Sequence, residues 1–252
     1  MEMVIISFIN IKGGVAKTIS SVNVAAELGR NGKSVLVIDL DPQANATKNF
    51  NCYNPECLST YEMLRGEKVN IKHTGFENVD LMPSNIKLIL SESEILTDTK
   101  RSRELRLKKY LMNMEFKYDY VIIDCPPSLG VLSTNALAAS DHVLVPVKID
   151  MFALDGFEYL LSSIEEIREE FNPTLNLLGI FITMDRATSI NREIKEELRK
   201  SLGDKLFRTS IRENVDVVKS TFNLMPVVYF NKRANATKDY KDLVKEIEQW
   251  LI

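Results

Sequence analysis

Apolar residues along this chain fall into short, β-branched blocks separated by stretches with helical spacing. Residues 4–9 (Val-Ile-Ile-Ser-Phe-Ile) open the series, and comparable blocks recur at 35–39, 79–82, 121–124, 143–147, 178–183 and 227–230. Blocks this short, apolar at consecutive positions, have the pattern of strands covered on both faces in a parallel sheet. Between the first two, Val22, Ala25, Ala26 and Leu28 mark a helix that starts near Thr18 and stops around Gly32, a residue suited to a helix end. A terminal helix carries Leu243, Val244, Ile247 and Leu251 at helical spacing, together with the single tryptophan, Trp250. Asp239, Asp242, Glu246 and Glu248 make its polar side acidic or mixed, so it is expected to pack on the core. A membrane-surface helix wants Lys and Arg on that side.

The alternation over 252 residues predicts an α/β fold: one domain over residues 1–252, with a mostly parallel, twisted sheet covered by helices on both faces. Residues 1–9 read as the first strand and not as a signal peptide, and residues 49–72, the most irregular stretch, as a surface excursion. Composition adds limits. At 45% apolar, the chain can build a substantial core, yet no run is long enough to span a bilayer. Cys52, Cys57 and Cys125 lack zinc-ligand pairing, and so sparse a set implies reduced thiols in a cytoplasmic protein.

Candidate chemistry concentrates where the predicted strands end. Directly after the first strand comes Asn10-Ile11-Lys12-Gly13-Gly14-Val15-Ala16-Lys17-Thr18. A strand entering a glycine turn and then a helix aims backbone N–H groups and the positive helix end at one point, where a polyphosphate fits. Lys17 and Thr18 stand where a P-loop places its phosphate-binding lysine and its Mg²⁺-binding hydroxyl. Ile11 and Ala16 occupy the two usual glycine positions, and Lys12 is an extra lysine. A β-carbon at Ala16 restricts positive φ and crowds a phosphate, so either the backbone tolerates alanine here or nucleotide affinity and turnover are lowered. The second strand ends in Asp39-Leu40-Asp41-Pro42-Gln43, and that of residues 121–124 ends in Asp124-Cys125-Pro126-Pro127. Neighbouring parallel strands share one carboxyl edge, so the three motifs are expected to converge on one site.

Together, Lys12 to Thr18, Asp39-Leu-Asp41-Pro-Gln43-Ala-Asn45-Ala-Thr47 and Asp124-Cys-Pro-Pro-Ser-Leu-Gly130 resemble the ParA/Soj branch of the deviant-Walker P-loop ATPases, in order, spacing and chain length. The same superclass includes MinD, the nitrogenase iron protein and arsenite-pump ATPases. The resemblance implies ATP and Mg²⁺ as cofactors and ATP hydrolysis as the activity. By the same resemblance, Lys17 holds the β- and γ-phosphates, and the amides of Gly13, Gly14, Val15, Ala16, Lys17, Thr18 and Ile19 cradle their oxygens. Thr18 supplies an oxygen to Mg²⁺, which Asp124 holds through water. Asp41 orients the attacking water, Asp39 is an internal hydrogen-bond partner, and Lys12 reaches across a nucleotide-sandwich homodimer. Residues 126–137 would respond to the γ-phosphate, and Met184 and Asn214 would contact adenine.

A net charge of −3 argues against a chain that is basic throughout, but residues 186–233 hold eleven Lys and Arg against six Asp and Glu, a local excess of five. The family resemblance implies non-specific DNA binding from this region, with Arg186, Arg212, Lys219 and Arg233 as candidates. Arg186 is shifted by one residue from the family pattern, Arg212 replaces a common proline, and Asp216 stands where an arginine is common. The implied function is DNA segregation on the nucleoid, with hydrolysis stimulated by a ParB-like adaptor and no membrane partner. The alternative is a MinD-like positioning ATPase acting on a membrane or a protein scaffold.

Overall fold

Eight strands line up in one twisted sheet in a computed structural model that describes residues 3–114, 118–150 and 156–251. They are β1 (Val4–Phe8), β2 (Val35–Asp39), β3 (Lys72–His73), β4 (Val79–Met82), β5 (Tyr120–Asp124), β6 (His142–Lys148), β7 (Asn176–Asp185) and β8 (Leu206–Arg212). Their spatial order is β3-β4-β2-β5-β1-β6-β7-β8, parallel throughout except for the short antiparallel β3 at one edge. This is the mostly parallel α/β sheet that the apolar blocks predict.

The helices are α1 (Lys17–Arg30), α2 (Asn45–Asn49), α3 (Thr60–Leu64), α4 (Leu88–Thr97), α5 (Arg106–Met112), α6 (Val131–Ala139), α7 (Phe157–Glu170), α8 (Ser189–Leu202), α9 (Val215–Phe222), α10 (Val227–Phe230) and α11 (Asn235–Trp250). Alternate strand residues serve opposite layers. Ile6, Phe8, Val35, Val37 and Ile122 pack with α1, α10 and α11, while Leu36, Ile38, Val121, Ile123 and Val145 pack with the layer of α3 to α7. Each central strand is therefore buried on both faces, which is why the blocks lack a polar phase.

Two expectations are corrected. Residues 227–230 form a helical turn and not a strand: Pro226, in extended backbone, precedes it, and Val227 and Val228 are buried against α1 and α11. A β-branched apolar run of four is compatible with either state, and here the proline sets a helix start. The stretch 49–72 is also not all surface. Ser59 and Glu62 form a capping box that nucleates α3, all five of whose residues are buried.

Two features fix neighbouring layers. On α6, Asn135 Oδ1 accepts from the Arg106 and Leu107 amides at 2.9 and 3.2 Å, while its Nδ2 donates to the Arg103 carbonyl at 2.7 Å, tying α6 to the start of α5. At the other end of the sheet, Trp250 stacks on Phe207 with ring centroids 4.1 Å apart. Gly179 on β7 makes room for this pair, since a Cβ there would lie 2.2 Å from Phe207 Cε2. Gly179→Val should therefore lower unfolding free energy by about 1–3 kcal/mol through overpacking, measurable as a reduced midpoint in urea denaturation.

Candidate functional site

The carboxyl ends of β1, β2 and β5 meet because of the strand register: Asp124 lies opposite Phe8 on one side and Asp39 on the other. From β1 the chain passes through Asn10, which is buried. Asn10 Nδ2 donates to the Pro146 carbonyl at 2.8 Å, and its Oδ1 accepts from the Lys12 amide at 3.0 Å. Gly14 at φ 73° and Ala16 at φ 61° then turn the backbone through left-handed conformations into α1. Such alternation points successive amides toward one concavity. Added β-carbons at Gly13 or Gly14 would meet nothing within 4 Å, so the space over the loop is open. The first turn of α1 carries no acidic residue to offset its positive end.

Ala16 keeps the left-handed geometry despite its β-carbon, at a cost of about 1–2 kcal/mol. Its neighbour is held from across the sheet: Thr183 Oγ1, buried at the end of β7, donates to the Val15 carbonyl at 3.0 Å. Lys17 is 7% exposed, and its Nζ donates to the Lys12 carbonyl at 2.8 Å. Burial lowers its pKa, against the raising influence of Asp124, Cys125 and Asp41. Lys12 lies at the rim, 25% exposed, with Nζ 3.7 Å from Asp150 Oδ1.

Below the loop lie the three carboxylates. Asp39 is fully buried and accepts from the Asp41 amide (3.1 Å), the Thr47 amide (2.8 Å) and Thr47 Oγ1 (2.7 Å). Burial nevertheless raises its pKa to about 6. Asp41 Oδ1 accepts from the Gln43 amide at 2.8 Å. Asp124 is fully buried, with Ser21 Oγ 3.1 Å from Oδ1, while Oδ2 has no hydrogen-bond partner. Burial, and next the charge of Asp39, push the Asp124 carboxyl well above the usual carboxylate range, with Thr18 and Ser21 opposing. A buried carboxylate oxygen without a hydrogen-bond donor, close to a threonine hydroxyl, is the oxygen-ligand chemistry of a hard divalent cation site.

The structure thus brings Lys12, Gly13, Gly14, Val15, Ala16, Lys17, Thr18, Ile19, Asp41 and Asp124 to one edge. Met184, in left-handed backbone at φ 50°, is the penultimate residue of β7, next to the Thr183 that reaches the loop. Asn214 caps α9, its Oδ1 accepting from the Asp216 amide at 2.7 Å, and the adjacent Glu213 amide bonds the Asp185 carbonyl at 3.0 Å. The basic candidates divide. Arg186 is held by Glu213, and Arg212 grips Asp239 through Nε and Nη2, at 2.6 Å for the shortest contact. Lys219 and Arg233 are exposed without an ion pair among the described residues. Sequence reasoning missed Asn10 and Thr183; the first could have been found as the polar residue two before Lys12, but nothing in an apolar strand marked the second.

This sheet, with a glycine loop leading into α1 and carboxylates at the neighbouring strand ends, defines a P-loop nucleotide-binding protein. A family profile for the AAA domain matches residues 3–177. The sporulation initiation inhibitor protein Soj of Bacillus subtilis is 38% identical over 248 residues, covering 96% of this chain and 97% of that protein. The chromosome-partitioning ATPase Soj of Treponema pallidum is 34% identical, covering 95% of each. Among solved structures, cobyrinic acid a,c-diamide synthase of Mycobacterium smegmatis with bound ADP and magnesium superposes with a TM-score of 0.83. It is 29% identical, over 96% of this chain and 93% of that one. The chain belongs to the ParA/Soj family of P-loop ATPases.

Two buried carboxylates side by side carry a stability cost. Because the folded protein holds a proton on Asp124 more tightly than the unfolded chain, this group's stabilising contribution is present below the usual carboxylate pKa of 3.8 and is lost as pH rises through the raised value. Asp124→Asn should therefore raise the melting temperature at pH 7 to 8 in chelator, by about 2–4 °C for each kcal/mol relieved, and flatten the gain on acidification. Scanning calorimetry from pH 5 to 8 checks both.

Proposed function

We propose that the 252 residues act as one partition ATPase domain that binds ATP and Mg²⁺, pairs into a nucleotide-sandwich homodimer and hydrolyses ATP slowly while bound to DNA. The observation that carries this reading is near-full-length kinship with Soj proteins combined with a second lysine, Lys12, at the rim of the loop that encloses Lys17. The open backbone over Gly13 and Gly14 fits the β- and γ-phosphates, and the unpartnered Asp124 Oδ2 beside Thr18 fits Mg²⁺. Bound Mg²⁺ would supply neutralisation of phosphate charge.

Lys17, short of solvent and with its pKa lowered by burial, offers a desolvated cation to the phosphates. Asp41, held by the Gln43 amide, orients the attacking water, and Lys12 serves the partner's nucleotide. Met184 and Asn214, adjoining the same edge, take the adenine. Residues 126–137, following Asp124 into α6, sense the γ-phosphate and respond to a ParB-like adaptor on the nucleoid of the cytoplasm. The MinD-like alternative is disfavoured by α11, whose Leu243, Val244 and Ile247 are fully buried against α1 and the sheet, so this helix presents no apolar face to a lipid surface.

Isothermal titration with ATP–Mg²⁺ tests the nucleotide part: wild type binds, Lys17→Ala loses binding at least tenfold, and absence of wild-type binding rejects the reading. Lys12→Ala should retain binding but lose the concentration-dependent component of hydrolysis, measured as phosphate release against protein concentration. DNA retention should require ATP and weaken steeply with salt. Lys219→Glu with Arg233→Glu should reduce it more than Arg186→Ala, whose guanidinium is occupied by Glu213. Gel shift at 50 and 200 mM salt measures both.

A further inference from the structure

At the end of the sheet opposite the phosphate loop, where Tyr118 precedes β5 by two residues, a cavity of about 820 Å³ lies between α3, the β3 edge and α5. None of its lining residues belongs to the nucleotide site. Its walls come mostly from residues 63–73 and 101–114, stretches to which the ATPase reading assigns no role. Met63, Leu64, Val69, Ile71 and Met114 supply an apolar surface, with the rings of Tyr110 and Tyr118 beside it. The volume lies within the range of pockets that enclose small organic molecules.

The charges at its walls can be accounted for one by one. Arg106 is buried and committed to Asp98 (3.0 Å) and to the carbonyls of Leu64 and Ser102. Arg101 is likewise engaged with Asp98 and the Arg65 carbonyl. Of the two acids, Glu67 pairs with Arg65 at 3.2 Å, while Asp80 accepts from Tyr118 Oη at 2.9 Å and shares a hydrogen bond with His73 Nδ1 at 2.6 Å. What remains uncommitted among the described residues is Lys68 and Lys109, two exposed ammonium groups beside an apolar floor.

We propose that this cavity is a binding site for an amphipathic organic anion, with a ring or alkyl body on the Met63–Val69–Tyr110 surface and a carboxylate, sulfonate or phosphate head held by Lys68 and Lys109. Lysine heads on flexible stems suit a point-charge contact without a fixed fork geometry. The site is independent of the ATPase reading.

Fluorescence titration of the full chain with 8-anilinonaphthalene-1-sulfonate tests it, with decanoate and naphthalene-1-sulfonate as competitors. Saturable binding of one probe per chain is expected, weakened at least tenfold by Lys68→Glu with Lys109→Glu and also by Ile71→Trp, which fills the apolar part. An unchanged melting temperature in the lysine variant verifies its fold. Displacement by decanoate alone assigns an alkyl body, by the sulfonate alone an aromatic one, and by both the shared chemistry. Non-saturable binding, binding that survives both variants, displacement by neither competitor, or equal displacement by neutral 1-naphthol overturns the proposal.

Discussion

A lysine ammonium enclosed above buried carboxylates is the interaction on which the rest of this structure depends. Lys17 is nearly excluded from water, and so are Asp39, Asp41 and Asp124 beneath it. Burial opposes the charges of Lys17, Asp39 and Asp124, and opposite charge recovers only part of the cost. The arrangement persists because the sheet dictates it. Phe8, Asp124 and Asp39 lie in register across β1, β5 and β2, so a slip of one residue in β2 or β5 would turn a carboxylate to the other face and bring Ile38 or Ile123 to the edge. Leu36, Ile38, Val121 and Ile123, all fully buried, bind that register to the hydrophobic core. Core packing thereby holds charges together that would separate in water.

Much of this was legible in the chain. The blocks at 4–9, 35–39, 79–82, 121–124, 143–147 and 178–183 all became strands, because a strand covered on both faces has no polar phase to confuse the pattern. The site was legible for a related reason: a phosphate cradle needs its glycines, lysine and hydroxyl in contiguous sequence, and its carboxylates at strand ends. What failed was context. Val227–Phe230 has strand composition, yet Pro226 and the faces of α1 and α11 make it a helical turn. Strand β8, reading Leu-Phe-Arg-Thr-Ser-Ile-Arg, was hidden because its polar residues belong to an outer edge. The box at Ser59 and Glu62 was written plainly at its three-residue spacing, in a stretch dismissed as irregular.

Charge shows the same limit more sharply. Counting Lys and Arg over residues 186–233 gives a basic segment, but a count cannot see that Arg212 meets Asp239 27 residues onward or that Arg186 meets Glu213. Those pairs belong to the folded packing of β8 on α11 and of β7 beside β8. Likewise, Thr183 is an unremarkable strand residue until β7 is placed against the loop, where its hydroxyl holds Val15. Contacts that depend on chain distance are the ones composition cannot report.

Ala16, Ala44 and Met184 all hold left-handed backbone without being glycine, and they lie just past the carboxyl ends of β1 and β2 and near that of β7. At roughly 1–2 kcal/mol apiece, together they draw about 3–6 kcal/mol from a domain whose net stability is on the order of 5–15 kcal/mol. Strain of that size is sustained only while the surrounding scaffold over-determines the backbone. The loop is therefore a sensor of distant cohesion: a methyl group removed from the far core would surface first as fraying at this rim, before any global melting. Wear in the foundations would be read at the nucleotide edge.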